Sequence, residues 1–198
     1  MARTASIERN TRETRIRLTL ELDGSGNFSI QTGIGFLDHM LALLSAHSRL
    51  DLEIQAEGDL EVDDHHLVED IGIVLGQALQ EALGSKKGIE RYGSALLPMD
   101  EVLAACAVDL SGRALFVSDY RPVRENVGGL STEMVNHFFR SLAAAARMNL
   151  HFKLLNPGEN EHHRIEALFK AFARALRTAV ALDSSCRDRI QSTKGTLE

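Results

Sequence analysis

Cysteine is scarce. Cys106 and Cys186 are the only two in 198 residues, and their spacing fits no metal or redox motif. A disulfide framework is therefore excluded as the basis of the fold, and a reducing compartment is compatible. No apolar run approaches the roughly 18 residues needed to cross a bilayer. The opening stretch MARTASIERNTRETR also lacks the apolar centre of a secretory signal. The expected address is cytoplasmic, with no membrane partner. Basic residues are outnumbered 22 to 28 by acidic ones, the net charge is −6, and no Arg-rich stripe stands out. A phosphate-backbone footprint is thus missing, and nucleic acid is not an expected partner. Low-complexity tracts are absent too. What is present is a chain 44% hydrophobic and 25% charged, enough to bury a core as a globular protein.

The chain repeats itself, and repeats are read before single motifs. Shifted by 98 residues, LDHMLALLSAHSRLDLEI (37–54) falls on VNHFFRSLAAAARMNLHF (135–152), and His39 lands on His137. Leu37, Met40, Leu41 and Leu44 meet Val135, Phe138, Phe139 and Leu142, an i, i+3, i+4, i+7 stripe that predicts an amphipathic helix in both copies. RLDLEI meets RMNLHF, so each helix runs into an alternating strand. With the shift reduced to 97 by a one-residue indel, His65, His66 and Glu69 meet His162, His163 and Glu166. A second apolar stripe follows in each copy and predicts a second helix. At a shift of 88, LELDG (20–24) meets VDLSG (108–112), each ending a strand at a turn.

Each half therefore reads as strands, helix, strand, helix: an early antiparallel hairpin, then a crossover. Two helices cover one face of a mixed sheet of about four strands. The expected fold class is α+β in two repeated half-domains, 1–86 and 87–198, packed as one unit. GSKKGIERYG (84–93) interrupts both periodicities and marks the linker.

Six of the eight histidines (39, 65, 66, 137, 162 and 163) occupy three positions of the repeat. Composition predicts only about 0.3 adjacent histidine pairs; two occur, each with Glu at one offset. Histidine is the commonest metal ligand, and a neighbouring carboxylate suits a divalent first-row ion. Adjacent helical residues point about 100° apart, so His65 and His66 serve different ions. His65 with Glu69, and His162 with Glu166, share a helix face. Each such pair is expected to hold one ion, with the neighbouring histidine reaching the other and His39 and His137 completing two similar sites of three imidazoles and one carboxylate. Such a set leaves coordination positions open, as a catalyst does. Spacing is equally compatible with halves of one chain or of neighbouring chains supplying a site. The ligand types accept Zn, Fe, Co, Ni or Mn.

The motifs RNTRETRI, TGIGFLDHML, GDLEVDDHHLVEDIGIVLGQAL, RYGSALLPMDE, VDLSGR, NEHHRIEALFKAFARAL and STKG follow one another along the chain. Through them it resembles the imidazoleglycerol-phosphate dehydratase family of histidine biosynthesis over nearly its full length. The resemblance implies half-domains like the second domain of ribosomal protein S5, a 24-subunit homo-oligomeric shell, and two Mn(2+) per active site at subunit contacts. It also implies loss of water from imidazole glycerol phosphate to give imidazole acetol phosphate. In that chemistry a ring bridging both metals loses its N-bound proton as an imidazolate. Electron push then expels the hydroxyl to give a diazafulvene-like intermediate, which loses a carbon-bound proton to an enol.

By the same resemblance, Glu13 of RETRI and Asp100 of PMDE are the acid and base candidates, with Glu166 doubling as ligand and proton relay. His47, Arg91, Arg113, Lys170, Ser192 and Lys194 are the implied donors to the substrate's phosphate; Arg offers a fork and Lys a point charge. Gly33 and Gly35 read as a tight entry to the His39 helix rather than a phosphate loop, and His151 reads as a surface strand residue. The tail after STKG is short, so a monofunctional chain is expected. Two rival classes share these ligand types. A dinuclear metallohydrolase recruits a bridging Asp or a modified Lys, and a ferritin-like storage protein uses Glu-x-x-His on a helical bundle.

Overall fold

The computed structural model describes residues 3–186 and 188–197. The hairpin β1 (Thr4–Asn10) and β2 (Thr14–Glu21) is followed by β3 (Phe28–Gln31), α1 (Gly35–Ser48), β4 (Asp51–Gly58) and α2 (His65–Leu83). The second half repeats that order with β5 (Tyr92–Met99), β6 (Val102–Asp109), β7 (Leu115–Ser118), α3 (Glu133–Ala145), β10 (Asn149–Asn156) and α4 (Glu161–Val180). Between β7 and α3 lies a short extra hairpin, β8 (Asn126–Val127) and β9 (Leu130–Ser131).

The sheets run β1-β2-β4-β3 and β5-β6-β10-β7. In each, the first two pairings are antiparallel and the last is parallel. The parallel pair is joined through the first helix of its half, the crossover that parallel neighbours require. Alternation in the strands decides which face is covered. Ile16, Leu18 and Leu20 of β2 and Leu52 and Ile54 of β4 are buried, while their neighbours Arg15, Arg17, Glu53 and Glu57 face outward. Two repeated α+β half-domains with four-stranded mixed sheets are thus what the chain forms.

α2 packs on β1 and β2, and α4 on β5 and β6. The helices also meet across the halves, α2 against α3 and α1 against α4, so that one core lies between the two sheets. Phe139 of α3 is fully buried, with ring centroids 4.7 Å from Phe169 and 5.5 Å from Phe172 of α4 and 4.8 Å from Phe152 of β10. Burying one such side chain contributes about 1.5–3 kcal/mol. Close approach of α2 to α3 rests on two glycines. A Cβ at Gly72 would lie 2.8 Å from the carbonyl oxygen of Phe138, and one at Gly76 would lie 2.6 Å from that of Leu142.

The stretch between the halves is more ordered than a linker read from broken periodicity. Lys86 is buried and donates to the Leu110 carbonyl at 3.3 Å, and Arg91 is buried against Asp109. Gly93 lies inside β5, not at the linker's end. A Cβ there would be 1.9 Å from the carbonyl oxygen of Ala175, so this glycine lets the strand touch α4.

The register of the repeat explains the extra hairpin. The offset is 88 for β2 and β6 and 98 for β4 and β10. The difference is the loop after β7, which fastens three helix starts. Tyr120, fully buried, donates to Glu161 of α4 at 2.5 Å; the Ser131 amide donates to Asp64 before α2 at 2.6 Å; and Gly128 sits against Phe36 of α1.

Gly93→Ala and Gly76→Ala force backbone apart and are expected to cost about 1–3 kcal/mol or more. Gly35→Ala, which meets nothing within 4 Å at the start of α1, should leave stability level or raise it. Thermal melting of the three variants checks this; equal melting temperatures would refute the close-packing account.

Candidate metal centre

The cross-half packing brings imidazoles from one half onto a carboxylate of the other. On α2, His65 and Glu69 share a face, with Nε2 of His65 3.9 Å from Glu69 Oε2. From α3, His137 Nε2 reaches Glu69 Oε1 at 2.9 Å. On α4, His162 Nε2 lies 3.0 Å from Glu166 Oε2, and His39 of α1 brings its Nε2 within 3.4 Å of the same oxygen. The ligand atoms of each triad lie within 4.8 Å of one another. The chain therefore holds two repeat-related triads of two imidazoles and one carboxylate, each built from both of its halves.

Local sequence sets these positions. Gly33 at φ 82° allows the turn into α1, and Asp38 accepts from the Thr32 amide at 2.9 Å, fixing the helix entry one residue before His39. Asn160 caps α4 by accepting from the His162 amide at 2.9 Å, and Asp63 accepts from the His65 amide at 2.8 Å before α2. The ring of Phe36 meets His162 edge-on at 4.9 Å.

The triads differ in charge. Glu166 is buried at 6% exposure and its Oε1 pairs with Lys170 one turn on. Burial pushes the Glu166 carboxyl up, but Lys170 and the imidazoles of His162 and His39 outweigh it and hold it below the usual carboxylate range. His47, two turns along α1 from His39, is pushed down by burial and by Lys170 and Arg174. The Glu69 triad has no such lysine: the repeat position of Lys170 is Ile73.

His66 and His163 join neither triad within the chain, because residues adjacent on a helix diverge by about 100°. Instead His66 Nδ1 meets Asp59 at 3.0 Å, and His163 Nδ1 meets Glu101 at 2.8 Å. Both imidazoles are thereby pushed up, first by those hydrogen bonds, while Glu101 is drawn down to about 2. Glu13 faces His66 Nε2 at 3.9 Å, and Asp100 faces His163 Nε2 at 3.5 Å. Both carboxylates are exposed at two hairpin turns, and Asp100 takes a left-handed φ of 47°. Asp100, Glu101 and His163 form a third grouping with metal-ligand spacing.

The six residues expected at a phosphate fall in two places. His47 and Lys170 lie beside the Glu166 triad. Arg91 is engaged by Asp109 at 2.7 Å and by the Gln191 carbonyl, which draws the tail bearing Ser192 and Lys194 toward the β5 end. Arg113 is exposed just beyond β6. His151 stands exposed on β10, as its pattern predicts. A concavity of about 740 Å³ lies on the outer face of the first sheet among Glu8, Arg15, Arg17 and Glu57, and no triad residue lines it. Asp59, Glu101 and Phe36 were not singled out by the sequence. Glu101 alone carried a signal, as the repeat partner of Glu13.

Two imidazoles and a carboxylate with positions left open fit a divalent first-row cation. Comparisons with known proteins point to one family. The sequence model for "Imidazoleglycerol-phosphate dehydratase" matches residues 32–176. Proteins of that name from Heliobacterium modesticaldum and Salinibacter ruber are 58% and 55% identical, over 98% of this chain and 100% and 96% of theirs. A crystal structure of the dehydratase from Staphylococcus aureus is similar at a TM-score of 0.82 and 43% identity, covering 90% of this chain and 99% of that one. Another, from Pyrococcus furiosus, gives 0.81 and 36%, covering 96% and 100%.

If each triad binds on its own account, His39→Ala and His137→Ala each bind one divalent ion fewer per chain than the parent. Metal analysis after dialysis checks this; unchanged stoichiometry in either variant would show that its triad is not a ligand set.

Proposed function

The chain belongs to the imidazoleglycerol-phosphate dehydratase family, and from that premise we propose that it removes water from imidazole glycerol phosphate to give imidazole acetol phosphate, a step of histidine biosynthesis. The observation that carries the reading is the pair of repeat-related triads, because a substrate ring with two nitrogens suits two matched cations. Manganese, held by His39, His162 and Glu166 and by His65, Glu69 and His137, would supply the Lewis acidity that makes the ring N–H acidic.

The protein's own groups do the rest. The carbon-bound proton to be lost has no neighbouring carbonyl, so a general base acting on it directly faces a high barrier. Loss of that N–H proton would let the ring's electron pair expel the side-chain hydroxyl, toward a diazafulvene-like species. A carboxylic acid hands a proton to the departing hydroxyl, and a carboxylate then takes the carbon-bound proton to give the enol. Glu13 and Asp100 fill these two roles, each exposed beside the Nε2 of a paired histidine. Glu166 presents one oxygen to the imidazoles and the other to Lys170, which suits a ligand that also relays a proton. Lys170 and His47 offer positive charge and a donor for the phosphate near that triad. Arg113, Ser192 and Lys194, with Arg91 holding the tail, offer a second grip.

Assembly follows from what one chain leaves unused. His66 and His163 belong to neither triad of their own chain, their Nε2 atoms facing Glu13 and Asp100 instead, so copies of these residues from neighbouring chains complete the sites. The outer face of the second sheet supports such contacts: Tyr92 and Leu96 of β5 and Leu115 and Val117 of β7 are exposed on its edge strands, Leu96 at 64%. A 24-subunit shell working in the cytoplasm is the form proposed.

Purified protein supplied with Mn is expected to dehydrate imidazole glycerol phosphate, to carry two ions per chain and to have a native mass near 24 chains. Phosphatase activity instead, or metal uptake without turnover, would point to the rival classes. Glu13→Gln and Asp100→Asn should each lower kcat by about 10²–10⁴; unchanged turnover in both would remove the acid and base assignment while leaving the metal reading standing.

A further inference from the structure

We propose that Asp59 and Glu101 are positioning residues that hold the imidazoles of His66 and His163 with Nε2 outward as the metal-binding atom. The inference rests on the reading of these histidines as ligands given above.

A carboxylate only accepts, so the ring nitrogen it touches carries the hydrogen. Asp59 contacts Nδ1 of His66 at 3.0 and 3.2 Å, and Glu101 contacts Nδ1 of His163 at 2.8 Å. In the neutral ring the lone pair is then left on Nε2. That is also the nitrogen by which His39, His65, His137 and His162 face the carboxylates that would share an ion with them, so at the proposed sites all six repeat histidines would ligate through the same atom. A carboxylate behind a ligating imidazole fixes the tautomer and raises basicity.

Ordinary surface ion pairing is the competing account, and the repeat argues against it. The counterpart of Glu13 at the offset of β2 and β6 is Glu101, yet Glu13 lies on the Nε2 side of its histidine and Glu101 on the Nδ1 side. At the counterpart of Asp59 the second half has Asn156 or Pro157, at offsets of 97 or 98, and neither is a carboxylate. The two copies thus place an acidic group on Nδ1 from unrelated positions. An orientation reached twice by different residues is one that the site requires. Among the described residues, His66 is the one side-chain partner of the Asp59 carboxylate, whereas Glu101 also accepts from the Glu159 and Asn160 amides ahead of α4. Asp59 therefore separates positioning from folding.

The test uses the full-length, metal-stripped protein titrated calorimetrically with MnCl2. Asp59→Ala is expected to weaken binding at the affected site about 10–100-fold. Asp59→Asn, whose carbonyl still accepts, should fall between Asp59→Ala and the parent. The melting temperature of the metal-free protein should not move. In the metal-free protein above the imidazole titration, ¹⁵N spectra should show His66 leaving the Nδ1–H tautomer in Asp59→Ala. Parent-like affinity and an unchanged tautomer in Asp59→Ala would overturn the inference while the metal reading stands. A parent protein that takes up no manganese would sink that reading, and this role with it.

Discussion

The close crossing of α2 with α3, and of α1 with α4, is the constraint from which the site follows. Each triad takes one imidazole from a helix of one half and an imidazole and a carboxylate from a helix of the other. A few tenths of an ångström at these crossings change the ligand spacing directly. Gly72 and Gly76 hold the first crossing, since any side chain there would strike the Phe138 or Leu142 carbonyl. The buried phenylalanines of α3, α4 and β10 hold the second half's side of the crossings rigid, because a core packed at interior density does not let helices drift.

Duplication supplied symmetry, and the surroundings then diverged. Glu166 is buried with Lys170 against it, while Glu69 is half-buried at a turn where the repeat position of that lysine is Ile73. In the first half a different ion pair occupies the same level: Asp70 accepts from Thr14 at 2.6 Å and pairs with Arg9 at 2.9 Å, where the second half has Ala167. The clustered imidazole and carboxylate atoms are alike in the two copies, and the electrostatic background is not. Lys170 thus sets a positive charge against one of the two carboxylates, where the other has an apolar neighbour.

The loop after β7 couples these centres to the rest of the chain. Through Tyr120 on Glu161, the Ser131 amide on Asp64 and Gly128 on Phe36, one insertion touches the starts of α4, α2 and α1. Helix starts are where the paired histidines sit. Fixing them sets the direction of the first turn, and so of His65, His66, His162 and His163 together.

Much of this was legible in the sequence because it depends on periodicity. Strand alternation, the apolar stripes of four helices and the two offsets of the repeat give an α+β duplication and put His65 with Glu69 and His162 with Glu166 on shared faces, each pair being one helical turn apart. Motif order gave the family. Tertiary structure alone decided which helices cross, and hence that His137 completes the α2 pair and His39 the α4 pair, since packing partners 68 and 123 or more residues away leave no trace in local pattern. It also decided that Arg91 is tied to Asp109, that Gly93 belongs to a strand, and that Asp59 and Glu101 stand behind two imidazoles. Those facts depend on backbone distance and side-chain direction, which only the folded chain fixes.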